Sequence, residues 1–161
     1  MYNKNLQNEF KVMFVCHGNI CRSPMAEFVM KDELKKRNLD GKIKAYSSAT
    51  SYEETGNPVY PPAVAKMKRE GVTIYPHVAQ TIERDDYGKY DMFVAMDQRN
   101  VRNLLNKFGD DKDCKVSKLL DYTDNHGDIA DPWYSGNFDV TYTDIVEGVD
   151  ALIDYILKEK I

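Results

Sequence analysis

The sequence predicts an α/β domain: a doubly wound, four-stranded parallel sheet flanked by helices. Two observations carry that prediction. Apolar runs of strand length alternate with longer runs of helical period, and this alternation implies parallel pairing through crossover helices. The length of 161 residues suits one domain, and 42% apolar residues can fill the core of a sheet covered by helices. No repeat, low-complexity stretch or Pro/Gly/Ser linker marks a second unit. The expected organisation is a polar N-terminal tail over 1–10 and a single domain over 11–161.

The elements follow in order. Lys11 to Cys16 reads as a buried strand. Pro24 to Arg37 reads as a helix, with Ala26, Val29, Met30 and Leu34 at helical spacing and Pro24 in the first turn, where a missing N–H costs nothing. Ile43 to Ser48 is the second strand, and Pro62 to Glu70 a helix stopped by Gly71. Asp91 to Ala95 is the third strand, Asn100 to Phe108 a helix closed by Gly109, and Val116 to Leu120 the fourth strand. The last helix runs from Val140 to Glu159, with Tyr142, Ile145, Val149, Leu152, Ile153 and Ile156 on one face. Ligands of such sheets sit beyond the carboxyl ends of the strands. Cys16, Ser47-Ser48, Met96-Asp97 and Asp121 all fall at such ends.

Charge narrows the partners. The net charge is −4 with no basic block, which argues against nucleic acid. The first eight residues are too polar for a signal peptide, and no apolar run approaches a membrane span. Three cysteines form no disulfide framework. A reduced cytoplasmic protein is expected, with Cys114 as a buried thiol.

Chemistry concentrates after the first strand, in Cys16-His17-Gly18-Asn19-Ile20-Cys21-Arg22-Ser23-Pro24. Gly18 and Asn19 tolerate left-handed backbone, so the turn can aim successive N–H groups inward as an anion nest. The helix start adds free N–H groups and the positive end of its dipole. Arg22 adds a planar fork that matches two phosphate oxygens. The same field favours the thiolate of Cys16, and Ser23 can donate a hydrogen bond to it. A nucleophile at the bottom of an oxyanion cradle is the result. A nucleotide-binding loop would need Gly-Lys-Ser/Thr here, and no lysine precedes Ser23. A zinc site built on Cys16 and Cys21 would need Cys114, His77 or His126 from afar, and it leaves Arg22 unexplained.

The run Val15 to Pro24 resembles the phosphate loop of the low-molecular-weight protein tyrosine phosphatases. The resemblance continues through Ser47 to Ser51, Gly56-Asn57-Pro58, His77-Val78-Ala79, Met96-Asp97 and Asp131-Pro132-Trp133-Tyr134, and covers nearly the whole chain from Lys11 onward. It implies hydrolysis of phosphotyrosine in proteins and of small aryl phosphates, through a phosphocysteine and with no metal or cofactor. Inorganic phosphate and other oxyanions are further expected ligands of the loop. The chain is expected to act as a monomer or weak dimer away from membranes.

A tyrosyl oxygen leaves badly unless protonated, so a general acid is required. Asp131 is the candidate, held extended by Pro132; Asp128 is its rival. Besides Cys16 and Arg22, the loop residues His17, Gly18, Asn19, Ile20, Cys21 and Ser23 are expected around the phosphate, with His17 at the rim. Trp133 and Tyr134 follow the acid and would wall an aromatic ring. Tyr52 is either the opposite wall or a solvent-facing loop tyrosine. The resemblance makes Asn19, Ser47 and His77 the hydrogen-bonded support of the loop. It makes Cys21 a partner for a reversible disulfide with Cys16 under oxidation; the other reading of Cys21 is a small buried filler.

Three other functions fit less well. Thioredoxin-linked arsenate reductases share the fold but need two further cysteines close together, and only Cys114 remains. Phosphoarginine phosphatases tend to carry threonine where this chain has Ile20. A non-catalytic phosphotyrosine-binding module has no need of both Cys16 and Asp131.

Overall fold

The computed structural model describes residues 9–161. The expected polar tail therefore lies almost wholly outside the described residues. Phe10 already belongs to the first strand, its amide bonded to the Lys42 carbonyl at 2.8 Å.

Four strands form the sheet: β1 (Phe10–Cys16), β2 (Ile43–Ala49), β3 (Met92–Ala95) and β4 (Val116–Lys118). Their order is β2-β1-β3-β4, with every pair parallel. The helices are α1 (Arg22–Lys36), α2 (Pro61–Arg69), α3 (Gln98–Phe108), a single turn α4 (Pro132–Ser135) and α5 (Phe138–Glu159).

Alternation along β1 decides what each face holds. Val12, Phe14 and Cys16 point to the larger core, made with α1, α2 and α5. Met13 and Val15 point to a smaller one, where Phe93, Ala95 and Leu104 of α3 close the other face. Each fully buried side chain of this size stabilises the fold by about 1.5–3 kcal/mol, so both faces of β1 are strongly specified. Cys16 is paired in register with Ala49 of the edge strand β2, at the carboxyl end of the central strand β1. Its position is fixed by the core before any chemistry is considered.

Three expectations differ from the structure. The fourth strand ends at Lys118, and Leu119–Tyr122 forms a short 3-10 helix. Leu119 and Leu120 are both fully buried. Consecutive strand residues face opposite sides, so a tight helical turn is what brings both leucines into one core. Asp121 consequently does not join the other strand ends; its carboxylate accepts from the Lys118 amide at 3.1 Å. Cys114 is exposed, not buried, at φ 53. The segment before β4 is wound around Asp111, which takes the amides of Lys115 at 2.8 Å and Val116 at 3.0 Å and turns Cys114 outward.

α5 crosses the 3-10 segment at Gly148, where an added Cβ would stand 2.5 Å from Leu119 Cγ. Alanine gains about 1 kcal/mol of helix propensity there, whereas overpacking costs about 1–3 kcal/mol against a buried branched carbon. Overpacking prevails. Gly148→Ala should lower the urea unfolding midpoint, while Gly41→Ala, with nothing within 4 Å of its Cβ, should leave it unchanged.

Candidate active site

The loop from β1 into α1 is shaped around Asn19. This residue is fully buried and left-handed, at φ 61. Its amide donates to Cys16 Sγ at 3.3 Å. Its side-chain Nδ2 donates to Ser23 Oγ at 2.8 Å and to Ser47 Oγ at 3.0 Å. Its Oδ1 accepts from the Gln80 amide at 3.1 Å, and its carbonyl oxygen lies 3.1 Å from His77 Nε2. A carbonyl can only accept, so His77 carries its hydrogen on Nε2.

These bonds have a direction. Ser47 donates its one hydroxyl hydrogen to Glu27 Oε1 at 2.6 Å, so it must accept from Asn19. Ser23 also accepts from Asn19, which leaves its single hydrogen for Cys16 Sγ at 3.1 Å or the Ser48 carbonyl at 3.4 Å. The sulfur thus faces the Asn19 amide as a donor, and the Ser23 hydroxyl as a second when its hydrogen turns from the Ser48 carbonyl.

Arg22 opens α1, and its side chain is 3% exposed. Nη1 donates to Asp97 Oδ2 at 2.7 Å and to the Ile129 carbonyl at 3.0 Å; Nη2 lies 3.5 Å from Asp131 Oδ2. Burial alone would weaken its charge. Cys16, Asp97 and Asp131 outweigh burial, so the guanidinium holds its proton more firmly than usual. For Asp97, burial acts to raise the carboxyl, but Arg22 and the Asn100 amide lower it below its ordinary value. Cys21 behaves oppositely to a nucleophile. Burial, then the charges of Cys16 and Asp131, push its thiol up to about 12, so it stays protonated at neutral pH.

Asp131 stands at the start of α4. It is extended, as Pro132 requires, and its Oδ1 accepts from the Trp133 amide at 3.0 Å. With Cys16, His17, Gly18, Ile20, Cys21 and Arg22 it lines a cavity of about 180 Å3. Trp133 and Tyr134 form one wall, and Trp133 is steadied by Tyr60, ring centroids 4.8 Å apart.

A family model described as "Low molecular weight phosphotyrosine protein phosphatase" matches residues 11–161. The chain belongs to this family. Among low-molecular-weight phosphatases it is 37% identical over 151 residues to YfkJ of Bacillus subtilis, covering 92% of this chain and 97% of the relative. It is 36% identical over 149 residues to PtpA of Staphylococcus aureus, covering 92% and 94%. The crystal structure of YfkJ superposes with a TM-score of 0.91 over 95% of this chain and 98% of that one, at 36% identity. A tyrosine phosphatase of Entamoeba histolytica with Hepes in its active site does so at 0.88, with 27% identity over 95% and 100%.

The phosphatase loop brings most of the expected residues together, with exceptions. Asn19 and Ser23 lie behind the cavity wall, fully buried, and reach it through the sulfur. Tyr52 is not at the wall. Its hydroxyl bonds Glu83 at 2.7 Å and its ring lies under Lys107, while Glu53 and Glu54 take the wall position. Asp128 is not at the cavity either; it accepts from the Gln98 amide at 3.2 Å and Lys118 Nζ at 3.0 Å. His77, which alone would read as a surface histidine, has a side chain only 7% exposed. Two anchors went unassigned by sequence reasoning. Glu27 ends the hydrogen-bond chain and is held by Lys31 at 2.6 Å; its signal is an acid inside the apolar helix run Pro24 to Met30. Asp97 fixes Arg22, and an acid closing an apolar strand at its carboxyl end was the available sign.

The Arg22–Asp97 pair gives a pH-dependent expectation. A lowered carboxyl contributes stability above its unfolded value, and that contribution is lost as pH falls through the folded one. Asp97→Asn should therefore destabilise the protein near neutral pH, by about 3 kcal/mol, the low end for a buried pair because Asp97 keeps some solvent contact. In urea unfolding across pH, the gap to wild type should narrow as pH drops below the ordinary value of 3.8. A gap constant with pH would remove the charge from the explanation.

Proposed function

We propose that Cys16 is the nucleophile, Arg22 the clamp on the phosphoryl oxygens and Asp131 the general acid and base of a phosphotyrosine phosphatase. The observation that carries this is the convergence of Cys16, Arg22 and Asp131 on one cavity, with Cys21 held protonated beside them. The substrates are tyrosine-phosphorylated proteins and small aryl phosphates, the latter giving it acid phosphatase activity.

In the first step the Cys16 sulfur forms a bond to phosphorus as the bond to the tyrosyl oxygen breaks. Asp131 gives that oxygen its proton. In the second, the Asp131 carboxylate takes a proton from water, which attacks phosphorus and releases Cys16. The Ser23 hydroxyl, 3.1 Å from the sulfur, stabilises the departing thiolate. The Arg22 fork and the loop amides meet the charge on the equatorial oxygens in both steps. Asn19, Ser47 and His77 act as positioning residues through the loop backbone.

Trp133 and Tyr134 on the wall suit a phenyl ring. Ile20 at the cavity favours an aryl phosphate over phosphoarginine, for which a crystallised neighbour at 26% identity is named an arginine phosphatase. Among the described residues no helix is long and apolar enough to cross a membrane. The three free thiols suit the reducing cytoplasm, where the enzyme would act as a monomer or weak dimer.

The test is a series of aryl phosphates graded by leaving-group basicity. Asp131→Asn should slow kcat/KM for phosphotyrosine by roughly 100-fold or more, and far less for an electron-poor phenol that departs without a proton. A steeper dependence on leaving group in the variant supports the assignment. Parallel dependences would take the acid role away from Asp131.

A further inference from the structure

Beyond Asp131 lies a second cavity of about 240 Å3, which shares His17, Arg22, Asp131 and Tyr134 with the first and adds Asp97, Arg99 and Asn100. Two buried side-chain atoms that lack a protein partner belong to residues on its border: His17 Nδ1 and Asn100 Nδ2. Asn100 is fully buried, and its Oδ1 is committed to the amides of Met96 at 3.2 Å and Asp97 at 3.1 Å. Its Nδ2 hydrogens have no such outlet. A buried donor without an acceptor costs about 1–3 kcal/mol, which singles this border out.

The remaining groups fix the sign of what fits. Asp97 is occupied by Arg22 and by the Asn100 amide at 2.8 Å. Asp131 is occupied by the Trp133 amide and faces Arg22. Arg99 is exposed and makes no ion pair among the described residues. It sits in the first turn of α3, where the helix dipole adds positive potential. The groups without partners are therefore an amide donor, a guanidinium and an imidazole nitrogen. His17 Nε2 meets the Glu53 carboxylate at 2.8 Å, so with the ring hydrogen there Nδ1 is an acceptor and can take a hydrogen from a protonated phosphate oxygen. On the opposite side of the catalytic cavity, Glu53 and Glu54 repel an anion.

We propose that this cavity, bordered by Arg99, Asn100 and His17, is a subsite for a second oxyanion, a carboxylate or phosphate placed beside the phosphotyrosine being hydrolysed. It rests on the phosphotyrosine reading of the catalytic cavity. Because the two cavities meet at Asp131, the anion belongs one or two residues from the phosphotyrosine when the substrate carries it. The enzyme then prefers phosphotyrosine with an acidic or second phosphorylated neighbour. Free phosphate is the other source of the same chemistry.

Phosphotyrosine peptides with Asp, Ala or Lys at each flanking position separate these cases, compared in wild type and Arg99→Ala, with a small aryl phosphate as control. Wild type should show about a fivefold advantage in kcat/KM for an Asp neighbour over Ala. Arg99→Ala should lose it while turning over the aryl phosphate unchanged, and Arg99→Glu should favour Lys. In a second arm, inorganic phosphate is titrated calorimetrically into Cys16→Ser. Two binding events there, falling to one when Arg99→Ala is added, assign the subsite to free phosphate. No flanking preference together with a single event independent of Arg99 overturns the subsite. Failure of the phosphotyrosine reading would show separately, as absent turnover of the aryl phosphate in wild type.

Discussion

One buried asparagine in a left-handed conformation holds the active loop in shape. Asn19 spends its backbone amide on the sulfur of Cys16, its side-chain amide on Ser23 and Ser47, and its two oxygens on His77 and Gln80. Left-handed backbone is uncommon outside glycine, and a short polar side chain able to bond locally is among the few that accept it. Glycine would accept the geometry equally well but could make none of the side-chain bonds. The chain continues through Ser47 to Glu27, itself held by Lys31 on the same helix. Strain in the loop is thus opposed by a network rooted in α1 and β2, and the donors around the sulfur are in place before a substrate arrives.

Electrostatics divides the two thiols of the loop. Cys16 ends β1 with a hydroxyl and an amide facing its sulfur, beside a guanidinium whose charge is reinforced by its neighbours. Cys21, five positions on, is buried and feels the negative charge of Cys16 and Asp131, so its proton is retained. The same balance explains why Arg22 tolerates burial. A lone buried guanidinium would be costly, but Asp97 and the Ile129 carbonyl satisfy it while leaving Nη2 near Asp131.

The parts of the molecule readable from sequence were those governed by local period and local chemistry. The apolar run of β1 and the glycine stops at Gly71 and Gly109 marked elements that the structure shows in the same order, with the strands parallel. The loop after Cys16 was readable because its donors are contiguous. Glu27 and Asp97 received no role because their partners lie 20 and 75 residues away, and only the fold brings them together. Tyr52 stayed open between cavity wall and solvent for a related reason: Glu83 and Lys107, which hold it, come from distant segments. Leu119 and Leu120 defeated the strand pattern because both enter the same core, which a tight turn allows and a pleat does not.

The central claim is that the phosphoryl group passes through Cys16. Rapid denaturation of the enzyme during turnover of a phosphotyrosine peptide, followed by fragment mass analysis, tests it most directly. The account predicts a phosphoryl group on the fragment spanning Val12 to Arg22, placed by further fragmentation on Cys16 and absent from Cys21. A phosphoryl group on His17 or Cys21, or turnover with no phosphoenzyme even in an Asp131→Asn protein whose second step is slowed, would contradict it.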